Sequence, residues 1–558
     1  MRLPYKITLA AELVCFLLLL ALCVPGHLVF QERYQLFLWT AEYFREVVSV
    51  PGGLADWLGR FCTQFFFNPW AGAAITSVLL VSFHRLLLGL FDKTPVWLFG
   101  LTILPVAILC AFFTNENAML STVISLIFSL LAAFGVVEID KPLGRRLVTI
   151  VATPVLYLAL GPLSLLFLVA LSTRDWKASL TGLALLVLSV LASSWIFQYS
   201  LKSLAGGIHY YRFLQTVRPE PWYALALTAI PILLQGFSKK KASAFVDMAV
   251  LAVTVLASLF IIIKPVHKSN INNQKEETIL YALLAENEDW DGILEAANHK
   301  WPSLSPVSVA CLNLAMAQAG HFPDGLFRGF QNGPQGLISD KKVDFISPLA
   351  FAQVYWALGL VDSAQRMVYE AQESIPDNQK SAYCYKWLAR TNLANGDYAV
   401  ADKYMAALGH TLFYRNWRPS DDLGLISSRR LTDKDMVSSD ENIHDVLALL
   451  VKRDSSNTIA RDYLLAYDML AMNLDGFVAD YQATHRSREV VSTVYAEALA
   501  LAWARDHRDF EGIPWTLPEG ITDRCVSFFG DRGANRPKGA MRNNYGTTYW
   551  YYYFYHGK

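Results

Sequence analysis

Three residues close together in the chain, His209, Arg212 and Arg218, are of the types that hold phosphate. Their segment, 198–221, also carries Gly206-Gly207, Tyr210-Tyr211 and Pro219-Glu220-Pro221. Guanidinium donors match phosphate oxygens in number and geometry, so beside a membrane this segment could hold a phosphate or pyrophosphate. The same side chains could instead anchor it at lipid headgroups. Two Asp-x-Asp strings, Asp289-Trp290-Asp291 and Asp433-Lys434-Asp435, have the spacing to hold a divalent metal on a nucleotide sugar. Trp290, however, falls in the aromatic slot of a helical repeat, which makes its neighbours turn and capping residues. No metal and no cofactor are therefore expected. G-x-x-x-x-G-K-[ST], H-E-x-x-H and G-x-S-x-G are all absent, which removes the main support for nucleotide hydrolysis, zinc proteolysis and serine hydrolysis. The seven cysteines form no C-x-x-C pair; four lie in or beside apolar spans and the other three read as small buried residues.

The elements that must position these residues change character near Lys264-Pro265. Hydrophobic residues make up 54% of the chain and charged ones 17%, below the quarter or so usual in soluble chains. Residues 1–265 hold 19 Lys+Arg against 12 Asp+Glu, and residues 266–558 hold 29 against 36. The first half is thus basic and the second mildly acidic, which argues against nucleic-acid binding. Apolar stretches run near residues 8–30, 70–91, 95–113, 118–137, 147–171, 179–197, 222–237 and 245–263. About 20 apolar residues cross a bilayer, so a polytopic domain of eight or nine spans is expected over 1–265. The first stretch follows Arg2 and Lys6 and reads as an uncleaved helix, since Leu22 blocks a lipoprotein-type cleavage site.

Gly161-Pro162 decides the count. If residues 147–171 cross once, there are eight spans and the second half is cytoplasmic, with 10 basic loop residues inside and 8 outside. If they form two short helices turning at Gly161-Pro162, Arg174, Lys177 and Lys239-Lys240-Lys241 become cytoplasmic, giving 12 inside and 8 outside. The excess of Lys and Arg on cytoplasmic loops favours the second arrangement, with the C-terminal half outside a bacterial inner membrane. The loop 31–69 opens on Gln31-Glu32-Arg33-Tyr34 and carries two amphipathic pieces separated by Pro51-Gly52-Gly53. These predict interfacial helices with aromatic faces down and Glu/Arg faces up. Glu12 reads as an interface residue, and His84-Arg85 as the snorkelling end of a span. Few ionisable residues fall at mid-span, which counts against a pump or channel.

Residues 266–529 take helical spacing. Turn glycines Gly320, Gly359 and Gly396 align, followed two positions later by Phe322, Val361 and Tyr398 and five later by Gly325, Ala364 and Ala401. Small residues let paired helices approach and the aromatic fills the gap. The pattern resembles the tetratricopeptide repeat, best in Trp387-Leu388-Ala389 with Gly396, Asp397, Tyr398 and Ala401, and implies an α-solenoid with a concave peptide-binding surface. The tail, 530–558, has Arg532, Arg536, Lys538 and Arg542 before seven consecutive aromatics, Tyr549 to Tyr555. Such a run favours an extended strand docked on the last repeat or on the membrane interface.

The span pattern, Pro51-Gly52-Gly53 and Tyr549-Trp550-Tyr551 together resemble an uncharacterised family of bacterial multi-pass membrane proteins ending in tetratricopeptide-like helices. A more distant resemblance is to GT-C-type membrane glycosyltransferases, which have a first helix, a large outer loop with interfacial helices and an acidic residue near its start. That resemblance implies Glu32 or Glu42 at the acidic position, acting as general base toward an acceptor, with His209, Arg212 and Arg218 meeting a lipid-linked phosphate donor. The usual Asp-containing motif is not recognisable here. The expected fold is all-α: a transmembrane helix bundle followed by a tetratricopeptide-like solenoid. Two functions follow. One is a membrane-anchored scaffold, in contact with the bilayer, whose solenoid recruits an envelope protein. The other is a transferase moving a glycosyl group from a lipid-phosphate donor to an extracytoplasmic acceptor.

Overall fold

The computed structural model of the chain describes residues 3–91, 94–235, 244–267, 275–299, 305–338, 344–376, 379–418, 442–485 and 491–555. Among them every regular element is a helix, apart from one isolated bridge between Ala118 and Tyr211. Lys239-Lys240-Lys241, Lys268 and Asp433-Lys434-Asp435 lie outside the described residues. Contacts divide the chain into two compact units. The first is Met1–Glu276 with Ile375–Tyr383 and Ala406–Asn416, and the second is Glu277–Ser374, Cys384–Met405 and Trp417–Lys558. The boundary therefore falls past the charge change at 265, two later segments return to the first unit, and the tail belongs to the second.

The first unit is a bundle of α1 (Leu3–Cys23), α2 (Pro25–Arg33), α3 (Ala41–Val48), α4 (Gly53–Thr63), α5 (Pro69–Gly89), α6 (Val96–Phe113), α7 (Ser121–Val137), α8 (Pro142–Leu160), α9 (Leu165–Ser172), α10 (Trp176–Ile196), α11 (Leu201–Gly206), α12 (Glu220–Leu234) and α13 (Ala244–His267). Six of them, α1, α5, α6, α8, α10 and α13, are long and apolar enough to cross a membrane, while α7, α9 and α12 are shorter. α7 is buried along most of its length. Glycines set the closest approaches: a Cβ on Gly59 of α4 would lie 2.9 Å from Ser121 N, and one on Gly182 of α10 would lie 2.4 Å from Leu168. Outward faces remain apolar. Leu147, Val151 and Val155 of α8, Val187, Leu188 and Leu191 of α10, and Val253, Leu256 and Phe260 of α13 are all exposed. Trp176 and Trp195, both exposed, bracket α10; at 1.5 Å per residue they stand about 28 Å apart, close to the thickness of a hydrocarbon core.

The long stretch 147–171 is broken where expected. Gly161 has φ +77° and ends α8, and Pro162 opens a 3-10 turn leading to α9. Arg145 and Arg146, at the start of α8, face Asp175, just past α9, at 3.8 and 3.5 Å. The chain thus reverses direction at Gly161. One end of the bundle gathers residues 24–67, 114–120, 161–164 and 207–212. Gly52 N donates to Leu158 O at 2.8 Å, Met119 N to Tyr210 O at 3.3 Å and Arg212 N to Asn117 O at 3.0 Å. Gly26 N donates to the Glu276 carboxylate at 2.5 Å, bringing the far end of the unit to the same place. Ser381 Oγ, Ala382 N and His410 O bond there too, to Arg33 O, Gln35 O and Trp39 N.

The interfacial loop forms its two helices, but the charge arrangement on α4 is reversed. Asp56 and Arg60 are buried, and the Arg60 Nε to Asp56 Oδ2 bond of 2.8 Å compensates both charges inside the bundle. On α3 the charges Glu42, Arg45 and Glu46 are exposed. The aromatics Phe37, Trp39, Phe44, Trp57 and Phe61 pack edge-to-face and tilted against one another, and the cluster continues through Phe65 and Phe67 to Phe413.

The second unit contains α14 (Lys275–Glu286), α15 (Trp290–His299), α16 (Pro306–Gln318), α17 (Ile346–Leu358), α18 (Val361–Glu373), α19 (Ala382–Asn395), α20 (Tyr398–Gly409), α21 (Ile443–Arg453), α22 (Thr458–Leu470), α23 (Leu474–Thr484), α24 (Thr493–Asp506), α25 (Ile521–Gly533), α26 (Lys538–Tyr545) and α27 (Tyr549–Tyr555). The first two residues of α14 and of α19, and the last four of α20, belong to the first unit. Gly359 closes α17 at φ +86°. Val361, Ala364 and Ala401 are fully buried, but Tyr398, which shares Val361's place in the pattern, is 65% exposed and does not fill a gap. The tail is a helix, not the extended strand its composition suggests. Trp550 is fully buried and donates from Nε1 to Glu497 O at 2.7 Å, while Tyr549 N donates to the Glu497 carboxylate at 2.8 Å. Burying two large rings outweighs a strand preference worth about 1 kcal/mol or less per residue.

Candidate functional site

Glu32, His209 and Arg212 come together at one end of the first unit. α2 supplies Glu32 at its last turn, and the turn after Gly207 (φ +92°) brings His209, Tyr210 and Arg212 against it. Arg212 donates from Nη1 to Tyr34 O at 3.0 Å and from Nη2 to Gln31 O at 3.4 Å, with its plane over the Tyr34 ring. It thereby caps the C-terminus of α2, where carbonyls lack helical partners and a positive charge is favoured. Burial, reinforced by Arg60, lowers its pKa to about 10.

His209 faces the same carboxylate as Arg60, its Nδ1 lying 3.3 Å from Asp56 Oδ2. Burial lowers the imidazole's pKa against the pull of Asp56, which favours the neutral ring. With the Nδ1 proton toward Asp56, His209 Nε2 carries the lone pair, and it meets no donor among the described residues. That is how a general base is oriented. The adjoining void, lined by Gln31, Gln35, Asp56, Arg60, Ser121 and Arg212, measures about 10 Å³. This is the room of roughly one water molecule, far too small for a sugar.

Glu32 is buried one step away. Tyr414 Oη approaches its two oxygens at 3.0 and 3.3 Å, and Arg33 Nη1 donates to the same hydroxyl at 3.1 Å. Burial raises the Glu32 pKa, while Arg33 and Tyr414 hold it back. Two of the five predicted residues stand apart. Glu42 is exposed in the first turn of α3, where it complements the helix dipole. Arg218 makes a two-pronged contact with Glu220, at 2.5 and 3.2 Å, over the Tyr211 ring. Asp56, Arg60 and Tyr414 were missed in the sequence; the i,i+4 spacing of Asp56 and Arg60 was the available signal.

A second cluster at this end joins His27, Glu116, Lys275 and Glu276. His27 Nδ1 lies 3.5 Å from Glu276, and Lys275 pairs with Glu116. Burial raises the Glu276 pKa to about 7 and lowers that of His27 to about 4. Inside the bundle, Glu12 and His84 depart from the interfacial and snorkelling reading. His84 is fully buried, with Nδ1 2.8 Å from the Glu12 carboxylate and Nε2 2.9 Å from Thr102 Oγ1. Asp289 accepts from Gly292 N at 3.0 Å, a capping contact in the first turn of α15.

Among the described residues the protein is all-helical, with six helices long and apolar enough to cross a membrane and a buried polar cluster at one end of the first unit. Residues 3–556 match the Family of unknown function (DUF6057), and the chain belongs to it. No curated protein and no solved structure matches the chain.

Proposed function

We propose that this is a multi-pass membrane protein whose helical-repeat unit recruits an envelope protein, and that the polar cluster under α2 and α4 is architectural. The observation that carries the reading is the fate of the candidate residues. Arg212 is spent on carbonyls, Glu32 on Tyr414, and the void beside Arg212 has room for about one water. Nine crossings fit the reversal at Gly161: α1, α5, α6, α7, α8, α9, α10, α12 and α13. Arg85, Lys141, Arg145, Arg146, Arg174 and Lys177 then fall at the end opposite the cluster, which makes that end cytoplasmic. The repeats are read as a tetratricopeptide-like solenoid facing outward. A photo-crosslinker at exposed Tyr398 in the full-length protein tests this: one envelope protein should be captured, also by the His209→Gln variant.

The second reading is a GT-C-like transferase using a lipid-phosphate donor, with catalysis at the cluster. The Asp56–His209 pair with its unpartnered Nε2 is what favours it. Loss of a surface glycan on deletion, unrescued by His209→Gln, would support this reading over the scaffold.

A further inference from the structure

Three consecutive helices of the second unit bring together a histidine and two aspartates that no sequence motif links. His444 lies in the first turn of α21, Asp468 near the end of α22 and Asp480 in α23. His444 Nε2 is 2.8 Å from Asp480 Oδ2 and 3.6 Å from Asp468 Oδ1, and one donor atom from each residue lies within 4.8 Å of the others. Ligands at about 2.1 Å around a tetrahedral ion stand about 3.4 Å apart, so these spacings bracket the expected one.

The surroundings complete the case. Asp468 is fully buried, and its Oδ2 meets no donor among the described residues. An unpaired buried carboxylate oxygen is costly, and Asp480 beside it adds a like charge. Asn473 Nδ2 donates to Asp468 Oδ1 at 3.1 Å and orients the group. On the far side of the imidazole, Nδ1 faces Asp445 at 3.3 Å. A carboxylate there directs the Nε2 lone pair toward a metal, the usual support of a metal-bound histidine. His444 and Asp480 remain partly exposed, leaving an entry path.

We propose that His444, Asp468 and Asp480 bind a zinc ion that clips α21, α22 and α23 together. One imidazole and two carboxylates make a three-ligand set suited to zinc with a water in the fourth position. Calcium and magnesium prefer all-oxygen shells of six or more ligands. The inference is independent of what the repeats recruit.

The test uses the full-length protein purified in detergent, loaded with Zn2+ and desalted. The wild type should retain a single zinc per chain and lose thermal stability on chelation. Asp480→Asn, at a partly exposed position, should fold with the unchelated wild type's helicity, bind zinc about tenfold or more weakly, and show no response to chelator. Cobalt should give the wild type the visible absorption of a tetrahedral site. A wild type that retains no zinc, or an Asp480→Asn protein that retains it equally, overturns the proposal. The three side chains would then be a histidine–carboxylate cluster alone.

Discussion

The Tyr210 hydroxyl bridges the break that Gly161 makes between α8 and α9, donating to Leu160 O at 2.6 Å and accepting from Leu163 N at 2.9 Å. Two backbone groups that a continuous helix would satisfy are thus satisfied from another segment. A Cβ on Gly161 would lie 2.7 Å from that hydroxyl, so the close approach and the positive φ both require glycine. Tyr210→Phe should cost about 1–3 kcal/mol by stranding Leu163 N, while Leu160 O keeps the bond from Ser125 Oγ at 2.7 Å. Gly161→Ala should cost at least as much, because it adds strain to the lost bridge. Thermal unfolding in detergent checks both.

Arg60 and Asp56 form a buried pair that His209 shares. Removing one partner leaves a charge stranded in the bundle, so Arg60→Leu should cost about 3–5 kcal/mol. The double variant with Asp56→Asn should recover part of that loss. Additive losses in a double-mutant cycle would show that the pair is not coupled.

The bonds of Glu32 and Tyr414 hold segment 406–416 to the chain around residues 32–39. Tyr414→Phe and Glu32→Ala should speed hydrogen exchange at residues 406–416 while leaving α6 and α7 protected. The pattern distinguishes local undocking from global destabilisation.

Burial gives Glu276 and His27 opposite pH dependences. Glu276 has a folded pKa of about 7, raised from 4.5, so its contribution is full below about pH 4.5 and falls as pH rises toward 7. His27, lowered from 6.5 to about 4, acts oppositely: its contribution is full above about pH 6.5 and falls as pH drops toward 4. Between pH 4.5 and 6.5 the two nearly cancel. Glu276→Gln should therefore make stability rise with pH in this window relative to wild type, and His27→Gln should make it fall. Melting temperatures across the window read the slopes.

Much of the bundle was legible because its long helices are written as long apolar runs, and the break at Gly161-Pro162 was legible because proline and glycine end helices by their own chemistry. Asp56 and Arg60 were not, since a charged pair on an amphipathic helix usually marks a wet face; here each partner makes the other's burial tolerable. Tyr549–Tyr555 misled in the opposite sense, as local preference lost to the burial of Trp550 beside Glu497. His444, Asp468 and Asp480 belong to three helices, and nothing in one-dimensional spacing announces their meeting. Of the phosphate-type residues, Arg212 proved a helix cap and Arg218 a partner of Glu220.

The orientation of the repeats is the claim on which the proposed function rests, and impermeant thiol labelling of intact cells tests it most directly. With Cys15, the exposed native cysteine, replaced by Ser, single cysteines are placed at exposed Tyr398 and at exposed Asp140 in the α7–α8 loop. The account predicts that Tyr398→Cys is labelled in intact cells, and Asp140→Cys only after permeabilisation. Labelling of Asp140→Cys from outside, with Tyr398→Cys protected, would contradict it.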